Sequence, residues 1–378
     1  MLSAADLLSH VDRITDPVAL VDRILRAGLL MRASDVHIDP FESFVRVRFR
    51  IDGELEDVLH IPSSMQGALT GRLKVLSSMD IAEKRAPQDG GFTWRMNVPS
   101  SSSSNPLDIR MATLPVRHGE RITLRLLEVG GEKFSLDDIG LLPFQREMVN
   151  DILLKPQGLV LLTGPTGSGK TTTLYAFIAE LLKGNPKNIM TVEDPVEYEI
   201  PGVSQAEVDS SDKVNFSKAL KSILRHDPDV VMIGEIRDSE SLDVAVKSAL
   251  TGHLVLSTLH ANGAVAAVTR LRNMSLANHL ISATLRLSIA QRLVRTICRA
   301  CGGKGCPSCS GKGLKGRTGV FELLKIDAKA SRLIADGASE ETILDSAVES
   351  GFVSLSLSAR EKVLSGVITE AQAMRTES

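Results

Sequence analysis

Residues 164–172, GPTGSGKTT, have the types and spacing that bind phosphate. They fit the pattern G-x-x-x-x-G-K-[ST], in which glycines let backbone N–H groups face an anion at a helix N-terminus. In such a loop Lys170 bridges the β- and γ-phosphates and Thr171 binds magnesium, whereas a purely structural glycine turn is the alternative. The predicted nucleotide-binding residues are Gly164, Pro165, Thr166, Gly167, Ser168, Gly169, Lys170, Thr171 and Thr172.

Two acidic strand ends supply candidate carboxylates for hydrolysis. In VVMIGEIRD, residues 230–238, four apolar residues predict a buried strand that is followed by Gly234 and Glu235. Many ATP-hydrolysing folds place Asp and then Glu there, one for the metal and one for water, so one carboxylate is missing. The stretch TVEDPVE ends another predicted strand at Glu193 and can supply it. Because ligands lie beyond the carboxyl ends of strands in open α/β sheets, we expect both acids beside the phosphate loop.

Two histidines flank a third predicted strand, LVLST. They lie up to roughly 23 Å apart along an extended chain, so they are not expected to contact one phosphate together. His260 is at the carboxyl end, where we expect it to contact or sense the γ-phosphate. His253 is at the other end, where a packing role or a subunit contact is expected. For each histidine the alternative is a core residue with satisfied hydrogen bonds.

Four cysteines form the pattern C-x-x-C, four residues, C-x-x-C. Two such turns supply four thiolates, which complete a closed tetrahedral zinc site without an open position for catalysis. Glycines at 302, 303 and 305 allow the chain to reverse between the pairs. Reduced thiols without metal and an iron–sulfur cluster are the alternatives. The predicted ligands are Cys298, Cys301, Cys306 and Cys309.

The elements that position these residues differ between the two halves of the chain. Up to about residue 130, alternating strands such as VRVRFRI and ITLRLLE, a turn at Asp52–Gly53 and two helical stretches predict a small α+β domain. From Gly158, short apolar strands alternate with helical stretches, which predicts an α/β fold with a mostly parallel sheet. A serine-rich loop at residues 100–105 and a linker beginning with paired glycines separate these elements.

Composition narrows the functional class. The 378 residues carry a net charge of −2 and only 3% aromatic side chains, which argues against a nucleic-acid surface or a base-stacking platform. The sequence has no apolar run near the 18 or so residues that span a bilayer, and no secretion signal opens it. We therefore expect a cytoplasmic protein of two or three domains.

Segments along nearly the whole chain closely resemble the secretion ATPases of type II secretion and type IV pili. In the second half these are GPTGSGKTTTLY, TVEDPVEY, LRHDPDVVMIGEIRD and TGHLVLSTLHANGA. ASDVHIDP resembles the N-terminal signature of the family, and DIRMATLPVRHGERITLRLLE resembles its strand pair with arginine contacts to nucleotide. SLSLSAREKVLSGVITEAQAM resembles the tail of its assembly ATPases.

The resemblance implies a RecA-like P-loop ATPase domain with a smaller N-terminal α+β (PAS-like) domain and a cysteine-rich metal subdomain. We assign residues 1–132 to the N-terminal domain, 133–145 to a linker and 146–378 to the ATPase domain. Within the latter, residues 295–322 form the zinc subdomain and 323–378 a helical tail. The cofactors implied are ATP, Mg²⁺ and Zn²⁺.

The resemblance also assigns roles and partners. It implies a homo-hexamer, peripheral at the inner membrane, that drives a platform protein adding pilin-like subunits to a filament, with no nucleic acid. By the family pattern Glu193 is the general base, Glu235 supports magnesium, usually through water, and Arg237 follows that acid. Arg110 and Arg125 reach nucleotide from the first domain; a surface salt bridge is the alternative for Arg110.

The chain departs from the family pattern in two places. The gap between the cysteine pairs is shorter than in typical assembly members, and the signature at Ala33 follows a shorter N-terminal segment than the family often has. Two other functions are compatible with a phosphate loop: a nucleic-acid translocase and a nucleotide-gated subunit that does not hydrolyse. Balanced charge argues against the first, and the presence of both acids, Lys170 and His260 argues against the second.

Overall fold

The computed structural model describes residue 7 and residues 16–95, 106–128, 135–184, 186–208 and 216–376. The chain divides into two compact units, Met1–Glu132 and Lys133–Ser378. The serine-rich loop predicted at residues 100–105 lies outside the described residues. None of the described helices has the length and the apolarity needed to cross a bilayer.

The first unit contains one six-stranded antiparallel sheet and two described helices of at least two turns. The helices are α1 (Pro17–Leu30) and α2 (Gln66–Leu76), the latter after a 3₁₀ turn at Ser63–Met65. The strands are β1 (Ala33–Pro40), β2 (Phe44–Ile51), β3 (Glu54–Pro62), β4 (Gln88–Trp94), β5 (Leu107–Val116) and β6 (Gly119–Glu128). They are arranged in the order β3-β2-β1-β6-β5-β4, and every neighbouring pair is antiparallel.

Side-chain alternation along these strands builds the core of the first unit. In β2, Val45, Val47 and Phe49 are buried, while the arginines between them are partly exposed, as the two-residue period requires. The apolar face of α1 packs into the same core. That helix begins after Asp16, whose carboxylate accepts a hydrogen bond from the Val18 N–H at 3.0 Å. Each large apolar side chain buried here contributes about 1.5–3 kcal/mol.

The predicted hairpin turn joins β2 to β3. Asp52 and Gly53 both have positive φ angles, 49° and 85°, as a type I′ turn requires. The α+β character predicted for this half of the chain is therefore confirmed.

The second unit is an α/β domain around a seven-stranded sheet. Its strands are β7 (Gly158–Thr163), β8 (Ile189–Glu193), β9 (Ser204–Glu207), β10 (Val230–Ile233), β11 (Leu254–Leu259), β12 (Leu285–Ile297) and β13 (Leu314–Lys325). Its described helices are α3 (Pro143–Leu153), α4 (Lys170–Leu181), α5 (Phe216–Ile223), α6 (Ser239–Leu250), α7 (Ala266–Asn273), α8 (Asn278–Thr284), α9 (Ala328–Ala335), α10 (Glu340–Glu349), α11 (Leu355–Leu364) and α12 (Glu370–Met374).

The strand order is β13-β12-β7-β11-β10-β8-β9, in which only β13 runs antiparallel to its neighbour. The mostly parallel sheet was predicted, but β12 and β13 were not: the sequence interpretation had only a cysteine cluster and helices after residue 291. These two strands form a long antiparallel ribbon, and their pairing across more than 15 residues is a non-local interaction that short sequence windows do not reveal.

Two apolar layers cover the sheet. All residues of β7, β10 and β11 are buried. Alternate residues of β7 contribute to opposite layers, with Leu159 and Leu161 in one and Val160 and Leu162 in the other. Helix α4 belongs to the second layer and is buried around most of its circumference, including Tyr175. This burial holds the loop that precedes α4 in a fixed place above the sheet.

Part of the stretch predicted as a linker packs within the second unit. Leu136 and Ile139 are buried, and the Gly319 N–H of β13 donates to the Ile139 carbonyl at 3.0 Å. The buried Lys362 amine donates to the Gly140 carbonyl at 2.5 Å. Helix α3 then begins at Pro143, so its first three residues fall inside the stretch assigned to the linker, 133–145.

Candidate functional site

The predicted phosphate loop lies between β7 and α4, with Gly169 as the residue that precedes the helix. Gly164, Gly167 and Gly169 have φ angles of 143°, 79° and 87°, which residues with a Cβ rarely adopt. The first turn of α4 carries backbone N–H groups without helical acceptors and the positive end of the helix dipole. The loop therefore has the backbone geometry of an anion site.

A buried glutamine from β12 supports the loop from below. The Thr173 hydroxyl donates to Gln291 Oε1 at 2.8 Å. A Cβ at Gly164 would lie 2.5 Å from the Gln291 carbonyl oxygen, and one at Gly169 would lie 2.9 Å from Gln291 Nε2. Two glycines of the motif are thus required both by their φ angles and by their close approach to Gln291.

Lys170 bends back over the loop. Its Nζ donates to the carbonyl oxygens of Gly164 and Pro165 at 2.8 and 3.0 Å. Burial lowers the pKa of Lys170; the Glu235 carboxylate opposes this shift, and the Arg292 guanidinium adds to it. The ammonium group is therefore held by neutral oxygens at a position where a phosphate can replace them.

Glu235 and His260 meet at the carboxyl edge of the sheet, as predicted. His260 Nε2 lies 2.9 Å from Glu235 Oε1. The other oxygen, Oε2, accepts from Arg237 Nε at 3.0 Å, and Arg237 also reaches the Asp194 carboxylate at 3.2 Å. The hydrogen bond to Glu235 is the main cause that raises the pKa of Arg237. Arg237 thus bridges two acidic strand ends instead of presenting an unpaired cation.

Glu193 lies at the end of β8 but its side chain is buried, with 2% exposure. The Tyr175 hydroxyl donates to Oε2; the Thr191 hydroxyl and the Gln205 amide donate to Oε1 at 2.6 and 3.1 Å. Burial raises the pKa of Tyr175, and the hydrogen bond to Glu193 raises it further, so the phenol keeps its proton. Both carboxylate oxygens of the predicted base are therefore engaged by protein donors in this arrangement.

Sterics do not explain the glycine that replaces the usual acid before Glu235. A Cβ at Gly234 would lie 3.4 Å from the Val192 carbonyl oxygen, which is ordinary contact. Gly234 instead joins neighbouring strands through its backbone, donating to Val192 at 2.8 Å and accepting from the Thr258 hydroxyl at 2.8 Å.

His253 lies at the opposite end of β11, where its ring contacts α6 and the following turn. Its Nδ1 is 3.0 Å from the Ser248 carbonyl oxygen and 3.3 Å from the Thr251 hydroxyl. This local packing is one of the two roles predicted for His253, and it keeps the ring away from the phosphate loop.

The two predicted arginines of the first unit are neighbours on its sheet. Arg110 of β5 and Arg125 of β6 occupy directly opposite positions. Arg125 Nε lies 3.3 Å from the carboxylate of Asp35 on β1, whose side chain is 11% exposed, while the Arg125 side chain is 63% exposed. The Nε atom of Arg125 is thus held by Asp35, while most of the Arg125 side chain is exposed to solvent.

The four predicted cysteine ligands converge at one point. Their Sγ atoms all lie within 4.8 Å of one another, and three of the pairs are separated by 3.7–3.9 Å. Zinc–thiolate bonds of about 2.3 Å in a tetrahedron place sulfur atoms about 3.8 Å apart, so the spacing fits a single ion. A cluster of several iron atoms with bridging sulfides needs wider separations than these.

The backbone around the cysteines shows how a short gap closes the cluster. Strands β12 and β13 hold the two ends of the segment together, and the Cys298 N–H donates to the Gly313 carbonyl at 2.8 Å. The N–H groups of Cys306 and Gly313 both donate to Cys309 Sγ at 3.2 Å, which favours a thiolate. The predicted glycines at 302, 303 and 305 all have positive φ angles.

Sequence interpretation missed the residues that support this site from other elements. Tyr175 lies in the helical stretch after the phosphate loop, and a tyrosine hydroxyl on the buried face of a helix needs a polar partner. Gln205 and Gln291 lie on strands that were not predicted. The available signal for the second was the stretch SIAQRLVRTI, in which apolar pairs and polar pairs follow one another.

Comparison with known proteins gives a consistent result. The model of the family described as "Type II/IV secretion system protein" matches residues 14–375. The type II secretion system protein HxcR of Pseudomonas aeruginosa is 43% identical over 366 residues, covering 95% of this chain and 76% of that protein. The type II secretion system ATPase E of Vibrio cholerae is 39% identical over 383 residues, covering 95% and 75%.

Solved structures show the same architecture. The pilus retraction motor PilT with bound ADP has a TM-score of 0.66 at 25% identity, covering 94% of this chain and 96% of that one. The Legionella pneumophila ATPase DotB has a TM-score of 0.74 at 23% identity, covering 95% of each chain, and shows the shared fold.

Proposed function

Because this chain belongs to the type II/IV secretion system protein family, we propose that it is a motor ATPase that powers assembly of a type II secretion pseudopilus or a type IV pilus. The observation that carries this proposal is that the glycine-rich loop, Glu193, Glu235 and His260 all lie at the same carboxyl edge of the sheet. Family membership indicates ATP hydrolysis, and the side chains at the carboxyl edge of the sheet are of the types that this reaction needs.

The nucleotide phosphates would lie on the loop at the N-terminus of α4. Lys170 would exchange its two carbonyl acceptors for phosphate oxygens, and His260 would contact the γ-phosphate. Thr171 and Glu235 are the residues that would hold magnesium, directly or through water. When bound, magnesium supplies positive charge that offsets the charge developing on the transferred phosphoryl group.

Glu193 is proposed as the group that orients or deprotonates the attacking water. In the arrangement described, its oxygens accept hydrogen bonds from Tyr175, Thr191 and Gln205. The proposal therefore requires the carboxylate to exchange at least one of these donors for water when nucleotide binds. The catalytic hydrogen bonds of general bases often form only in the complex with substrate.

The remaining groups are proposed from family likeness. Arg110, Arg125 and Arg237 would contribute guanidinium charge to the nucleotide. The protein would act as a homo-hexamer, peripheral at the cytoplasmic face of the inner membrane, on a platform protein of the machine. The four-cysteine cluster would hold zinc in a structural role.

Steady-state phosphate release from purified protein tests the proposal, with Glu193→Gln as the critical variant. We expect wild-type protein to hydrolyse ATP and Glu193→Gln to bind ATP but lose about two orders of magnitude in turnover. Wild-type turnover in a folded, ATP-binding Glu193→Gln protein would contradict the base assignment. Strong stimulation by DNA would instead favour a nucleic-acid translocase, and ATP binding without phosphate release would favour a nucleotide-gated subunit.

A further inference from the structure

Arg292 occupies a position beside the phosphate loop that no sequence motif indicated. On β12, Ala290 pairs with Thr163, the last residue of β7. Strand β12 continues to Ile297, whereas β7 ends and the chain turns into the loop. Arg292 therefore lies two residues beyond the level at which β7 ends, at the edge where nucleotide phosphates bind in sheets of this kind.

The guanidinium group of Arg292 is held by neutral oxygens. Its Nη1 donates to the Gln291 carbonyl at 3.3 Å, and its Nη2 donates to the Asn262 carbonyl at 3.2 Å. In the part of the chain that the structure describes, no carboxylate lies within ion-pair distance of it. Its Nε is buried from solvent without a hydrogen-bond partner. The other cation of the site, Lys170, is held in the same way by two carbonyl oxygens.

The two cations are close enough to repel each other. The Arg292 charge lowers the pKa of Lys170, in the same direction as burial. The Glu235 carboxylate acts on Lys170 in the opposite direction and offsets part of this repulsion, and a bound phosphate would neutralise both cations. Arg237 differs, because two carboxylates already neutralise it.

The acceptors of Arg292 indicate which part of the nucleotide it would meet. Asn262 follows His260 by two residues, so one side of the guanidinium touches the loop that carries the predicted γ-phosphate contact. Gln291, the other acceptor, lies under Gly164 and Gly169 of the phosphate loop. Arg292 thus lies between the phosphate loop and the segment after β11, the two segments that would enclose the terminal phosphate in the proposed function.

We propose that Arg292 is a second phosphate-binding residue, which acts from the same chain as Lys170 and contacts the terminal phosphate of ATP. This inference rests on the proposed ATPase function. The fork geometry of the guanidinium allows it to keep one carbonyl acceptor while it donates to a phosphate oxygen.

Binding titrations with ADP and with a non-hydrolysable ATP analogue, both with Mg²⁺, test this role. We expect Arg292→Gln to weaken binding of the analogue about tenfold or more while changing ADP affinity much less, because a charge-assisted hydrogen bond is lost only from the terminal phosphate. Arg292→Lys should recover part of the loss. Arg286→Gln is the matched control: it lies on the same strand but next to Gly158, at the other end of β7, and should leave both affinities unchanged.

Equal weakening for both nucleotides would overturn the proposal, because it would mean that Arg292 only joins two backbone segments. Wild-type affinities in Arg292→Gln would overturn it as well, while leaving the ATPase proposal intact if the wild-type protein hydrolyses ATP. A wild-type protein that binds neither nucleotide would overturn both proposals. Should Arg292→Gln fail to fold, the ratio of analogue to ADP affinity in Arg292→Lys decides: a ratio below that of the wild-type protein supports the contact, and a wild-type ratio would overturn the proposed guanidinium contact with the terminal phosphate.

Discussion

His260 Nε2 and Glu235 Oε1 lie 2.9 Å apart, which joins the ends of β11 and β10 at the edge occupied by the phosphate loop. The phosphate contact proposed for His260 would therefore be made by a ring that already contacts a carboxylate. The pair therefore connects the acid proposed for magnesium with the loop that follows β11.

Replacing His260 by alanine should lower ATP turnover about 10- to 100-fold, because a positioned group that contacts the terminal phosphate is lost. His253→Ala is the matched control on the same strand. It removes the contact with the Ser248 carbonyl and should cost about 1 kcal/mol of unfolding free energy, with turnover of the folded protein unchanged. Phosphate-release kinetics and urea denaturation check both results. Similar turnover losses in the two variants would contradict the assignment.

Tyr175→Phe removes one of the three donors that hold Glu193. Because the carboxylate is buried and one oxygen loses its hydrogen bond from the phenol, we expect a loss of about 1–3 kcal/mol in unfolding free energy. Tyr198→Phe is the control, since its ring packs edge-on against Tyr175 with centroids 4.6 Å apart and the same atom is removed. Chemical denaturation of the two variants should separate them by at least about 1 kcal/mol; equal stabilities would show that the hydroxyl of Tyr175 is not needed to hold Glu193.

The cysteine cluster should hold one zinc ion in each chain. Cys309→Ser should lose the metal, because it removes one of four ligands and the sulfur that accepts two backbone N–H groups. Elemental analysis after extensive dialysis measures the metal content, and limited proteolysis follows the segment between β12 and β13. Ser308→Ala, within the same turn, should keep the metal. Iron in place of zinc, or no metal in wild-type protein, would contradict the prediction.

The buried Lys362 side chain should make the stability of the fold depend on pH. Burial lowers its pKa to about 8 in the folded protein, below the ordinary value of 10.5. The unfolded chain therefore binds more protons between these two values, so the contribution of Lys362 to stability rises with pH over that window. Below about pH 8 Lys362 is protonated in both the folded and the unfolded chain, so its unfavourable contribution to the free energy of unfolding no longer changes with pH. Lys362→Met should abolish this rise, which amounts to about 3 kcal/mol. Parallel slopes for the two proteins between pH 8 and 10.5 would disprove it.

The sequence by itself determined the elements whose signals are local. The G-x-x-x-x-G-K-T spacing located the loop, because φ angles and helix N-termini depend on a few adjacent residues. Period-two alternation located β2, β5 and β6, and the C-x-x-C pairs located the four cysteines that converge as candidate metal ligands. The order of apolar strands also placed Glu193, Glu235 and His260 at one edge, since parallel strands share their carboxyl ends.

Only the tertiary structure decided what surrounds these residues. Two of the three donors to Glu193 come from other elements, a helix 18 positions before it and a strand 12 positions after it, and Gln291 supports the loop from a strand 118 positions beyond Thr173. Exposure is likewise a property of the packed sheet: Glu193 is buried, while Glu235 remains partly open beside His260. Such contacts depend on which strands become neighbours. That arrangement is stabilised by burial over the whole domain, so no single stretch of sequence encodes it.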